Sequence, residues 1–118
     1  MTDQNTTSRS CLPHHKLVAY GVAVELLVAV RDSRVRDSKL RDEATRAAKS
    51  ACLNTAEGAG RVSRADKARA FAIARGEAVE AVAAVEIAAH MGEADADAAA
   101  RCVQIAGRLV ALLTGLIR

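Results

Sequence analysis

Tryptophan is absent from this chain, and tyrosine and phenylalanine occur once each, at Tyr20 and Phe71. So little aromatic surface excludes a stacking platform of the kind that holds unpaired bases, and it leaves any core to aliphatic side chains. A single proline, Pro13, and seven glycines give few breakpoints for a many-stranded sheet. The three cysteines, Cys11, Cys52 and Cys102, are odd in number, far apart and without a CxxC pair. That pattern suits a reducing compartment, and Cys52 and Cys102, in alanine-rich surroundings, read as small core residues. Long apolar runs are also lacking. The longest, Leu17 to Val30, is 14 residues with Glu25 in its middle, which is short for a membrane span and wrongly composed for a signal core. No membrane association is expected, and a cytoplasmic location is.

What the chain does have is alanine. Its 118 residues include 27 alanines, 51% are hydrophobic and 26% charged, a composition for one ordered domain built of long helices. Alanine buries little area, so a monomer with this core should be marginal, and self-association is the natural remedy. The net charge of +3 is unevenly placed. Residues 31–69 carry +5, residues 70–118 carry −2 and residues 1–30 are neutral. A central basic block attracts phosphate backbone or an acidic protein partner; its interspersed acids also suit a solvated helix face.

Residues 1–13 read as a mobile tail closed by Pro13, and residues 14–118 as the folded domain. Four helical segments follow at about 14–31, 38–58, 64–91 and 95–118. In the first, Leu17, Tyr20, Val24, Leu27 and Val28 share one side, while Val22, Leu26 and Val30 lie opposite. A helix apolar all round is buried all round, so Val22 and Leu26 are expected to face other subunits. The second presents Leu40, Ala44, Ala47, Ala51 and Gly58 as a thin small-residue stripe, and Gly58-Ala59-Gly60 is expected to close it with a left-handed glycine. Ser63 and Asp95 are the expected caps of the third and fourth. The third carries a stripe of Phe71, Ala74, Ala78, Val82, Val85 and Ala89; the fourth is apolar over about half its circumference, with Arg101, Gln104 and Arg108 on its polar arc. That surplus, including Val103 and Val110, needs a partner. Short connections make sequential helices antiparallel, giving an all-α, up-down-up-down four-helix bundle.

The stretch Asn54-Thr55-Ala56-Glu57-Gly58-Ala59-Gly60-Arg61, then Ser63, then Ile73-Ala74-Arg75-Gly76-Glu77-Ala78-Val79-Glu80, resembles a known family. It is similar to the four-helix-bundle proteins encoded in intervening sequences of large-subunit ribosomal RNA genes. Arg46-Ala47-Ala48 stands at the matching distance upstream, Leu17, Tyr20, Ala23 and Leu26 fit the first helix, and the likeness runs over about residues 17–117. The chain departs from the pattern at Cys52, where proline is common, in the proline-free 31–42 segment, and at Glu77, which replaces a serine. The resemblance implies an antiparallel four-helix bundle assembled as a homopentamer, with no established enzymatic activity. It also implies kinship with the basic, RNA-binding accessory proteins of diversity-generating retroelements.

Asn54, Glu57, Gly58, Gly60 and Arg61 form the core of that motif. On a helix Glu57 pairs with Arg61 four residues on, and Asn54 at the core edge needs a hydrogen-bond partner, which a neighbouring helix would supply. A polar pocket at the bundle end is the functional alternative. His14, His15 and His90 do not make a metal site, because a bundle di-metal centre uses Glu-x-x-His from two helices and none occurs. No nucleophile sits in a strained turn and no glycine-rich phosphate loop follows a strand, so neither catalysis nor a cofactor is expected. The candidate contacts to RNA, DNA or an acidic partner are Arg46, Lys49, Arg61, Arg64, Lys67 and Arg69, all suited to backbone without base reading. Two functions therefore stand: a non-enzymatic homo-oligomeric scaffold or interaction module, and a basic accessory protein that holds nucleic acid by its phosphates.

Overall fold

The computed structural model describes residues 11–118; the tail expected over residues 1–13 lies mostly outside them. A 3-10 turn, Pro13–Lys16, leads into four helices: α1 (Val18–Asp32), α2 (Ser38–Gly60), α3 (Arg64–His90) and α4 (Ala96–Ile117). Helices α2, α3 and α4 each open on a side-chain cap, and α1 does not. Asp37 accepts from the Leu40 N–H at 3.0 Å, Ser63 from Asp66 at 3.1 Å and Asp95 from Ala98 at 2.9 Å, so backbone donors without a helical partner are satisfied at all three starts. The first helix begins at Val18 and not near His14, because Pro13 favours a tight turn in which the Leu12 N–H donates to His15 Nδ1 at 3.0 Å.

Consecutive helices pack side by side, α1 also packs on α4, and α2 and α4 do not touch. The helices are roughly 22 to 40 Å long at 1.5 Å per residue. Links of three to five residues between helices of that length force antiparallel neighbours, so the order around the bundle is α1, α2, α3, α4. At one end the α1–α2 and α3–α4 links are tied together: the Arg36 N–H donates to the Glu93 carbonyl at 2.8 Å, and the Arg36 guanidinium donates to the Gly92 carbonyl.

The largest interface is between α2 and α3. Ala44, Ala47, Ala48 and Ala51 of α2 and Ala74, Ala78 and Ala81 of α3 are all fully buried, and methyl-sized side chains let the two backbones approach closely. Gly58 belongs to the same seam. It lies inside α2 with an ordinary helical backbone, and a Cβ placed on it would stand 2.5 Å from the Phe71 ring. The left-handed closure expected at Gly58-Ala59-Gly60 is therefore absent: α2 runs to Gly60 and ends on extended Arg61, and the positive-φ glycine of the described chain is Gly92. Gly58 is small because Phe71 occupies the space a side chain would need.

Helix α1 is turned about its axis relative to expectation. Its core face is Ala19, Val22, Ala23, Leu26, Ala29 and Val30, while Val24 and Val28 are exposed and Leu17, Tyr20 and Leu27 half-buried. Val22 and Leu26, expected to meet other subunits, are thus interior residues of the protomer. This face carries Ala19, Ala23 and Ala29, whose methyl-sized side chains let α1 approach α2 and α4.

Helix α4 buries Cys102, Ile105, Leu109 and Leu113 and turns Ala100, Val103, Gly107 and Ala111 outward. Its most apolar stretch is only 28% buried, and by length and composition, at a mean hydropathy of 1.5, it is also long and apolar enough to cross a membrane. The whole bundle measures 47 × 39 × 21 Å with a radius of gyration of 15.3 Å, against about 13 Å for a compact domain of this length. It is a flattened bundle with a broad uncovered side.

Candidate site at the α2–α3 corner

The family-motif residues and most of the candidate basic contacts meet where α2 hands over to α3. Ser63, capping α3, positions its first turn, and Lys67 reaches back across the link to donate to the carbonyls of Ala59 at 2.9 Å and Gly58 at 3.3 Å. These are carbonyls that the end of a helix leaves without intrahelical partners. Lys67 is thus a C-terminal cap for α2, a contact across the corner that helical periodicity alone does not reveal.

Arg61 donates from Nε and Nη2 to Glu57 Oε2 at 3.2 and 2.7 Å, the pair its spacing predicts. That hydrogen bond raises the Arg61 pKa above its ordinary value, the Glu57 charge adding to it. Asn54 is half-buried, and its Nδ2 donates to the Ser50 carbonyl at 2.9 Å and to Ser50 Oγ at 3.0 Å. The expected link from Asn54 to a neighbouring helix is not made; the amide folds back on its own helix.

Asn54 and Glu57 of α2, Arg61 just beyond its end, and Asp66, Arg69, Ala70 and Ile73 of α3 line an open polar pocket of about 320 Å³. Among the described residues the Asp66 carboxylate and the Arg69 guanidinium make no hydrogen bond or ion pair, and Arg64 is exposed beside them.

Arg46 and Lys49 lie elsewhere, more than three helical turns before the corner. Arg46 is held by three carboxylates, donating to Glu43 at 2.8 Å, Glu77 at 3.1 Å and Glu80 at 2.9 Å. These hydrogen bonds raise the Arg46 pKa and hold the Glu43 and Glu77 carboxyls below the usual carboxylate range. The Arg46 hub carries more negative than positive charge and joins α2 to α3. Of the six candidate basic contacts, Lys49, Arg64 and Arg69 have no partner among the described residues.

The cysteines offer no reactive centre in the core. Cys52 and Cys102 are buried, and burial pushes both thiols up to about 11, so neither forms thiolate readily near neutrality.

Fold and corner together define a small, all-helical bundle protein with two polar clusters among the described residues, the Arg46 hub between α2 and α3 and the pocket at their turn. The chain belongs to the 23S rRNA-intervening sequence protein family, which it matches over residues 16–115. No curated protein matches it.

Proposed function

We propose that this protein is a non-enzymatic homo-oligomeric scaffold whose protomers join through the outer face of α4. The observation that carries the reading is α4 itself, an apolar helix whose most apolar stretch is 28% buried. A helix of this kind is covered either by lipid or by protein. Arg101 and Arg108 on the exposed side, with Arg108 3.7 Å from Glu25 of α1, suit a protein surface better than hydrocarbon. Gly107, Ala111 and Gly115 recur at four-residue spacing on that side, so a second copy's helix can approach closely. Family membership supports the same reading, and a pentamer is the ring size that the sequence resemblance implies. Light scattering at micromolar concentration is expected to give a mass several times 12.4 kDa, and Ala111→Glu to reduce it; a wild-type monomer overturns the reading.

A second function, backbone binding of RNA or DNA, is favoured by Lys49, Arg64 and Arg69, the three of the six candidate contacts that no acid or carbonyl of the described chain engages. A ring would repeat them around its rim and let weak contacts add. Anisotropy with labelled duplex should then show affinity falling with salt, at a log–log slope of about 0.9 per contacted phosphate. Arg64→Glu with Arg69→Glu should abolish binding without changing the oligomer mass.

A further inference from the structure

The corner is structurally complete without its pocket. Lys67 and Ser63 close the two helix ends, and Phe71 against Gly58 fills the seam. Left over are the groups that line the open 320 Å³ pocket, and their chemistry is specific. Glu57 spends one carboxylate oxygen on Arg61 and leaves Oε1 open. Asn54 uses its amide nitrogen on Ser50 and leaves Oδ1 open. Asp66 offers a whole carboxylate and Arg69 a whole guanidinium, while Ala70 and Ile73 supply an apolar wall.

The pocket thus holds two carboxylates and two guanidiniums. A phosphate placed in it meets Glu57 and Asp66, and a simple cation meets Arg61 and Arg69, so the lining selects against both. It favours a neutral, planar, strongly dipolar group that presents a pair of donors on one edge and a pair of acceptors on another. Among nucleobases only guanine does so. Its N1–H and N2–H form a donor pair matched to a carboxylate, and its O6 and N7 an acceptor pair matched to a guanidinium. Adenine and cytosine lack the two-donor edge, and the uracil N–H lies between two acceptors. A volume equal to about ten liquid waters accommodates one base.

We propose that this pocket is a guanine-binding site, with Asp66 accepting from the donor edge, Arg69 donating to the acceptor edge, and Asn54 and Glu57 as further acceptors. The base comes either from a free guanine nucleotide or from an unpaired guanine in a single strand. This goes beyond scaffolding and beyond backbone binding, which reads no base.

The test uses the full chain. Ligand-observed NMR with GMP, AMP, CMP and UMP is run beside anisotropy with a labelled uridine-run RNA, with and without one central guanosine. GMP is expected to bind in preference to the other three, or the guanosine-bearing strand to bind about tenfold tighter than the plain run. GMP binding without a strand gain assigns the site to free nucleotide, and a strand gain assigns it to unpaired guanine. Asp66→Asn and Glu57→Gln should each remove the preference while helicity and oligomer mass stay unchanged, which separates this outcome from a failure of assembly through α4. No preference for guanine in either assay, or a preference that survives both substitutions, overturns the proposal.

Discussion

The α2–α3 seam and helix α4 both present apolar faces and end in opposite states. The seam uses alanine and one glycine, brings its backbones close and finishes with every inward side chain covered. Helix α4 carries larger aliphatics over a wide arc, covers Leu109 and Leu113 completely, and still leaves Val103 at 41% exposure and Leu116 at 37%. The difference teaches that burial here follows backbone approach more than side-chain size. Two helices with methyl-sized contacts satisfy each other, while a helix apolar over about half its circumference is not fully covered by the two neighbours, α1 and α3, that this bundle gives it.

The same charge placed on each side separates the two regions most sharply. Leu26 is fully buried against the core, so Leu26→Glu desolvates a carboxylate with no partner and should abolish cooperative folding. Ala111→Glu sits on the exposed side of α4 and should keep the helical circular dichroism spectrum while losing the high mass. If Leu26→Glu remained folded and lost only mass, α1 would be oriented as the sequence first suggested.

Within the seam, two glycines two residues apart provide the next contrast. A Cβ at Gly58 meets Phe71 at 2.5 Å, whereas one at Gly60 meets nothing within 4 Å. Gly58→Ala should lower unfolding free energy in urea by about 1–3 kcal/mol, the usual cost of overpacking. Gly60→Ala should be neutral or stabilising by about 0.5–1 kcal/mol through helix propensity. Phe71→Leu should recover part of the Gly58→Ala loss, since the ring is what the new methyl strikes.

Much of this fold is legible in the sequence, and the reasons differ by element. Ser63 and Asp95 announce their helices because capping is local chemistry between a side chain and a backbone three residues away. The stripes from Ala44 to Gly58 and from Phe71 to Val85 are readable because each helix has one polar face to contrast with them. Helix α1 has almost none: Val and Leu lie on every side with Glu25 as its sole interior charge, so periodicity cannot choose a face, and ranking by side-chain size chooses wrongly. At the corner, the Glu57–Arg61 pair follows from spacing. The Lys67 cap on the α2 carbonyls and the meeting of Asn54, Asp66 and Arg69 at one pocket depend on the angle at which α3 leaves the turn. The Gly58-Ala59-Gly60 run at the helix end suggested a backbone role for that glycine; its true reason, Phe71, is thirteen residues away.

The smallest expected effect concerns the Arg46 hub, the polar counterpart of the alanine seam between the same two helices. Hydrogen bonds from Arg46 hold the Glu43 and Glu77 carboxyls below their ordinary range in the folded protein. A carboxylate whose folded pKa is depressed contributes stability that is present above its unfolded pKa, about 4.3, and is lost as pH falls through the lower folded value. The contribution is small, because Arg46 is about half exposed and solvent and salt screen the pairs. Melting temperature measured from pH 7 to pH 3 should therefore fall more in the wild type than in Arg46→Met, with the two curves converging at the acid end. Added salt near neutrality should narrow the same gap. A gap that persisted unchanged at pH 3 would mean that the Arg46 side chain stabilises the α2–α3 pair by packing its aliphatic stem and not by its charge.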